Sequence, residues 1–233
     1  MLIGILWFES VLVSYFMEKG MVKHPIMSMI LSVDMKIRSY TGGMAQTNAY
    51  LLGENDHCIL IDAPLGVGSW LERIGAKPSD ILLTHQHYDH VEGVAELADQ
   101  GIPVHAYAAF SQDLTLELLL QQSGIDLQVT PYSVTHLLEC KDVLEVGGWK
   151  FHLAHVPGHA EDSLVFVRDD CAFVGDTLFA SSVGRADLPG GDMELLISGI
   201  QKKLLTLDDA TQVFPGHGPT TSIGAERSGN PYL

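Results

Sequence analysis

Thr84-His85-Gln86-His87-Tyr88-Asp89-His90 sets four candidate metal ligands, His85, His87, Asp89 and His90, within six residues. In an extended segment, residues two apart point to the same side. His85 and His87 can therefore close on one ion, while Asp89 and His90, at the start of a helix, face another way. One short loop can thus serve two ions. Neutral imidazoles and carboxylates suit zinc, iron or manganese, and no cysteine stands here to build a thiolate site. The competing reading is a solvated histidine-rich loop with Asp89 near a helix cap, but imidazoles this dense repel one another once protonated.

Outward from this segment, 81–84 is a short apolar run, and 91–100 has helical spacing at Val91, Val94, Ala95 and Ala98, ended by Gly101. The loop therefore joins a strand end to a helix start. Upstream, 36–40, 48–53 and 57–62 have strand patterns with a turn at 53–56, and 67–74 has a helical one. Downstream come a strand at 103–107 and a helix at 114–123 closed by Gly124. The second half is rich in hairpins, 143–146 with 149–156 and 163–167 with 171–176, then an amphipathic run at 193–207 and a last strand at 211–214. Two strand-rich halves, each ending in helices, predict an α/β protein of two sheets packed face to face with helices outside.

A local repetition links the halves. VPGHA (156–160) and FPGHG (214–218) both place Pro-Gly-His directly after a strand, so one turn chemistry delivers His159 and His217 to one edge of the structure. Asp176 follows Gly175 at the end of an apolar strand; taken alone, it reads equally well as a turn aspartate or a helix cap.

Composition sets the limits. With 46% hydrophobic and 18% charged residues among 233, the chain is a folded protein rather than a disordered one. Its 13 basic against 29 acidic residues give a net charge of −16, which repels phosphate backbones and argues against nucleic acid as a partner. Small molecules are the expected partners. Cys58, Cys140 and Cys171 are odd in number and far apart, so they read as reduced thiols and point to the cytoplasm. Residues 1–17 are apolar apart from Glu9, Ser10 and Ser14, without a basic start or a small-residue cleavage site, and too short and too acidic for a good membrane span. A membrane anchor, a docked helix and a disordered or non-native extension stay open for residues 1–35, and Met21, Met27, Met29 and Met35 are alternative starts. The organised domain is expected over residues 36–233.

In order, THQHYDH (84–90), PGH (157–159), GD (175–176) and PGH (215–217) resemble the metallo-β-lactamase fold hydrolases, from about Lys36 to the carboxyl terminus. The resemblance implies a four-layer αβ/βα sandwich with two divalent metal ions at one edge, zinc first, with iron or manganese as alternatives. It implies that His85, His87 and His159 hold one ion and Asp89, His90 and His217 the other, with Asp176 bridging. Asp89 and Asp176 are the expected catalytic carboxylates. Asp62, closing the strand 57–62, would support the metal loop. The other six histidines, at 24, 57, 105, 136, 152 and 155, are expected in ordinary structural roles.

SVGRADLPGGD (182–192), TNAYLL (47–52) and NPYL (230–233) resemble the small bacterial glyoxalase II-like branch, thioester hydrolases acting on hydroxyacyl-glutathione. The larger enzymes of that kind carry a helical, basic domain for glutathione, which the 16 residues after His217 (218–233) are too few to form. Arg185, Arg227 and Asn48 are the expected substrate contacts. The implied reaction is attack of a hydroxide, held by the ions, on a thioester such as S-lactoylglutathione; the departing thiolate, of pKa about 8.5, needs no tuned acid. A related branch offers an alternative, a mononuclear iron persulfide dioxygenase using the counterparts of His85, His159 and Asp176. A catalytically silent binding protein is a third reading. The oligomeric state is left open.

Overall fold

Strand order and direction decide where the histidine loop lies. The computed structural model describes residues 36–54 and 57–233, so the expectations for residues 1–35 lie outside the described residues. In the first sheet β1 (Ile37–Gly42), β2 (Thr47–Glu54) and β3 (His57–Ile61) are antiparallel neighbours. Then β3, β4 (Asp80–Leu82), β5 (Val104–Ala106) and β6 (His136–Leu137) run parallel. Parallel neighbours need crossovers. These are α1 (Val67–Ile74), then α2 (Tyr88–Val91) with α3 (Val94–Asp99), then α4 (Gln112–Thr115) with α5 (Glu117–Gln122).

The second sheet contains β7 (Val143–Val146), β8 (Trp149–His155), β9 (Leu164–Arg168) and β10 (Cys171–Gly175). A small ribbon, β11 (Leu178–Phe179) with β12 (Ser182–Val183), precedes β13 (Gln212–Pro215) and β14 (Thr221–Ser222), and the sheet order is β14-β13-β10-β9-β8-β7. α6 (Met193–Gly199) runs on as a π-helical turn at Ile200–Leu204, and α7 (Ile223–Gly229) follows β14.

Period-two alternation assigns the faces. Ala49, Leu51, Leu60, Ile81 and Val104 cluster with Val67, Leu71, Val94 and Leu97 of the first sheet's helices. On the other face Tyr50 meets Phe173 and Phe214 of the second sheet, ring centroids 5.6 and 5.3 Å away. Val165, Ala172, Val174 and Val213 turn outward to Leu196, Ile200, Leu204 and Ile223. Each large side chain so buried contributes about 1.5–3 kcal/mol. The expected αβ/βα sandwich is the observed one.

β8, β10 and β13 share a direction, since β9 is antiparallel to both β8 and β10 while β13 is parallel to β10. Their ends therefore lie at one edge, and the ends of β3 and β4 lie together in the first sheet. Two backbone bonds join the sheets there: Asn48 N–H to Gly216 O at 2.7 Å, and Leu164 N–H to Thr84 O at 2.7 Å.

The differences from expectation are local. The helix expected at 91–100 is broken at Gly93, where a Cβ would meet Val67 Cγ1 and the carbonyls of Ala63 and Pro64. The helix expected at 114–123 starts earlier and divides at Leu116, which sits at φ 61. β6, the β11–β12 ribbon, β14 and α7 had no sequence signal strong enough to place them.

Candidate metal centre

Asp62 directly follows β3 at φ 58, a left-handed conformation that aspartate tolerates better than most residues. Its Oδ1 accepts from Thr84 N–H at 2.8 Å, and its Oδ2 accepts from Thr84 Oγ1 at 2.8 Å and lies 2.8 Å from His90 Nδ1. One buried carboxylate thus fixes both ends of the 84–90 loop and turns His90 Nε2 away from itself. His159 is oriented in the same manner, Nδ1 facing Arg185 O at 2.8 Å, and Thr47 Oγ1 donates to Asp89 Oδ2 at 2.6 Å.

Seven side chains converge. His159 Nε2 lies 2.9 Å from His87 Nδ1 and 3.5 Å from Asp176 Oδ2. His90 Nε2 is 3.3 Å from Asp176 Oδ1 and 3.6 Å from Asp89 Oδ2, and His217 Nε2 is 3.2 Å from the Oδ2 atoms of both aspartates. The ligand atoms of His85, His87 and His159 lie within 4.8 Å of one another, as do those of His85, His90 and Asp176 and those of Asp89, His90 and His217. Asp176 therefore stands within reach of histidines from both expected sets.

The donor set fits cations. His85 Nε2 is buried without a hydrogen-bond partner, and His90 Nε2 and Asp176 Oδ1, buried 3.3 Å apart, meet no hydrogen-bond geometry with each other or with another group. Each such atom costs about 1–3 kcal/mol unless something meets it. Burial and the neighbouring imidazoles of His90 and His87 hold His85 well below the ordinary histidine range; burial and His159 bring His87 to about 3; burial lowers His159 as well. These three are neutral and ready to donate lone pairs. At the other end burial is outweighed. Asp89, Asp62 and Asp176 raise His90 well above its usual value, and hydrogen bonds to Asp176 and Asp89 raise His217 to about 10. Asp89 lies at about 2 and Asp176 well below the carboxylate range, burial yielding in each to His90 first. The charged form is thus favoured at His90 and His217, which face the carboxylates of Asp62, Asp89 and Asp176.

Above the cluster a cavity of about 490 Å³ is walled by Ala45, Tyr88, Leu116, Phe179, Val183 and Leu188, with Arg185 also lining it. The Arg185 guanidinium is held by Asp187 through two 2.7 Å bonds. The expected roles of Asn48 and Arg227 need correction. The Asn48 amide donates to Pro215 O and Gly218 O at 3.1 and 3.0 Å and accepts from Thr41 Oγ1, so it pins the second Pro-Gly-His turn and has no donor left for substrate. Arg227 bonds Leu205 O and Leu207 O and pairs with Asp209, and it does not line the cavity.

Some supporting residues escaped the sequence reading. Thr47 and Thr84 hold Asp89 and Asp62, but a threonine beside a motif carries no signal of its own. Three histidines outside the centre have structural partners: His105 Nε2 lies 2.8 Å from Asp80 and the ring stacks on His136, while His155 stacks on Tyr107; His24 lies outside the described residues.

Comparison with known proteins agrees with this geometry. The family model described as the metallo-beta-lactamase superfamily matches residues 42–217. The probable metallo-hydrolase YqgX of Bacillus subtilis is 36% identical over 85% of this chain and 98% of its own length. Hydroxyacylglutathione hydrolase GloC of Haemophilus influenzae is 33% identical over 81% and 93%. Among solved structures, the BLEG-1 B3 metallo-beta-lactamase superposes with a TM-score of 0.74 at 33% identity, covering 85% of this chain and 99% of that one. TTHA1623, in a di-iron-bound form, superposes with 0.72 at 35%, covering 84% and 100%. The named activities differ, so likeness alone does not choose a substrate, but the matched span and these identities are decisive for kinship: the chain belongs to the metallo-beta-lactamase superfamily.

Proposed function

We propose that this chain is a metal-dependent hydrolase that cleaves a small-molecule thioester, with hydroxyacyl thioesters such as S-lactoylglutathione as the reference class and the reducing cytoplasm as its setting. One observation carries the reading: the carboxylates and imidazoles that line the cavity, Asp89, Asp176, His87, His159 and His217, are all candidate ligands, so no carboxylic acid or imidazole is left over to protonate a poor leaving group. Two divalent ions held there, zinc first and iron or manganese otherwise, would lower the pKa of a shared water toward about 7 and polarise the carbonyl. His85, His87 and His159 would hold one, Asp89, His90 and His217 the other, and Asp176 both. Residues 36–233 supply all of these groups.

The remaining work falls to the walls. Leu116, Phe179, Val183 and Leu188 exclude water from the acyl group, and Arg185 offers its remaining donors to a carboxylate. A thiolate leaves with a pKa near 8.5 and requires no protonation in advance, unlike an amine. The name borne by the Haemophilus influenzae relative supports this choice.

The test is anaerobic hydrolysis by metal-loaded protein of S-lactoylglutathione and of simpler hydroxyacyl thioesters. Turnover without oxygen is expected. An Arg185→Ala variant should raise KM about three- to tenfold for a carboxylate-bearing substrate, with kcat and Tm little changed. Intact thioesters together with oxygen consumption on glutathione persulfide, at one iron per chain, would replace the hydrolase with the dioxygenase reading.

A further inference from the structure

Gln86 stands between two of the candidate ligands, and its side chain turns away from the cluster. It is fully buried. Its Nε2 donates to Ala108 O at 3.1 Å and to Asp162 Oδ2 at 3.2 Å, and its Oε1 accepts from the Tyr132 hydroxyl at 2.9 Å. Three separate segments therefore meet on this amide. Ala108 follows β5, Tyr132 precedes β6, and Asp162 lies in the turn after β8, three residues beyond His159. Asp162 is 2% exposed, and its Oδ1 has no hydrogen-bond partner.

We propose that Asp162 and Tyr132, acting through Gln86, are positioning residues that lock the His85–His87 loop of the first sheet to the His159 turn of the second. The inference rests on the reading of His85, His87 and His159 as one ligand set. Two of those histidines belong to one half of the sandwich and the third to the other, so their mutual distance is a property of the seam between halves. The Asp162–Gln86 bond crosses that seam beside the ligands; the backbone bond from Leu164 N–H to Thr84 O, at 2.7 Å, crosses it next door. A buried carboxylate with no ion pair among the described residues is a costly way to tie two loops. Burial raises Asp162 to about 7, against the bonds it accepts from Gln86. An apolar residue would fill the space without that cost but could not set a register, because packing lacks the directionality of a hydrogen bond. Tyr132 completes the device from the opposite side: by occupying Oε1 it fixes which way the Gln86 amide is turned, and so directs Nε2 at Asp162.

The experiment measures metal affinity rather than turnover. Wild type, Asp162→Ala, Asp162→Asn and Tyr132→Phe are stripped of metal, checked for fold by circular dichroism and thermal melting, and titrated with zinc against a chromophoric chelator. Asp162→Ala should weaken one of the two ions by about ten- to hundredfold and leave the other within about threefold. Asp162→Asn keeps an oxygen to accept from Gln86 and should recover most of that loss. Tyr132→Phe should show a smaller loss at the same ion. A residue that only stabilises the fold would lower Tm in all three without touching the ratio of the two affinities. A folded Asp162→Ala protein that binds both ions as wild type does would overturn the proposal. If that variant does not fold, Tyr132→Phe, which deletes one oxygen, decides in its place: unchanged affinities overturn it. Two ions bound with no thioester cleaved would defeat the proposed function alone, whereas a wild-type chain that takes up no metal would defeat both.

Discussion

Asp176 is the carboxylate that histidines from both sets approach, 3.3 Å from His90, 3.5 Å from His159 and 3.2 Å from His217. Replacing it with alanine should release both ions together, and elemental analysis after dialysis should fall from about two per chain to near zero. Full dinuclear occupancy in that variant would remove its bridging role. The two ends of the cluster should also differ in the protons they exchange. His85, His87 and His159 are neutral without metal, while His90 and His217 are held above neutrality by Asp89 and Asp176. Below the raised His217 value of about 10, an ion entering beside Asp89 must therefore displace protons, and one entering at the three neutral imidazoles displaces none. Calorimetric titration at about pH 6, below the ionisation of the shared water near 7, in buffers of different ionisation enthalpy should count about two protons for one ion and none for the other, and the proton-releasing site should weaken as pH falls. Uptake of both ions without proton release would contradict the assigned charges. At this scale the sequence was most legible where residues are dense. Four candidate ligands within six residues mark the 84–90 segment at once, whereas His159 and His217 needed the repeated Pro-Gly-His turn to stand out. Asn48 and Arg227 misled because donor chemistry is visible in a sequence, but the carbonyls that consume the donors are not.

Strand ends, rather than strands, place the chemistry. Gly175 closes β10 at φ +51, and a Cβ there would strike the Thr84 hydroxyl that is bonded to Asp62. Gly175→Ala therefore combines backbone strain with displacement of the residue that supports the metal loop. It should cost about 1–3 kcal/mol, a Tm drop of roughly 3–10 °C for a domain of this size, with weakened metal retention besides. Thermal melting with and without metal reads both effects; an unchanged melt would show that the turn yields freely. The element order was largely legible for the same physical reason: long apolar alternation and paired turn residues mark β1, β2, β3 and the hairpins. What could not be read were elements defined by their partners. β6 and β14 are two residues each and exist because a neighbouring strand offers them a ladder. The break at Gly93 reflects close approach to the carbonyls of Ala63 and Pro64, residues thirty positions or so away in the chain, which helical periodicity cannot reveal.

At the scale of the molecule, a centre that bound ions would make cationic is set within a strongly acidic chain of net charge −16. The two act on a charged substrate with opposite sign and different range. Beyond about a Debye length, near 10 Å at 0.1 M salt, the whole-molecule charge governs encounter; inside the cavity the ions and Arg185 do. A glutathione thioester is an anion, and the chain repels it on approach. Its kcat/KM should therefore rise about two- to fivefold as ionic strength increases from about 10 to 150 mM, because salt screens the distant repulsion more than the close attraction. A neutral thioester with the same acyl group should show a flat profile, which serves as the control for salt effects on the chemistry itself. The comparison also measures how far Asp187 has neutralised the cavity's arginine, since both of its oxygens are spent on Arg185 at 2.7 Å. If the anionic substrate instead slows with added salt while the neutral one does not, the centre's positive field reaches beyond the cavity mouth, and repulsion by the acidic surface does not control encounter.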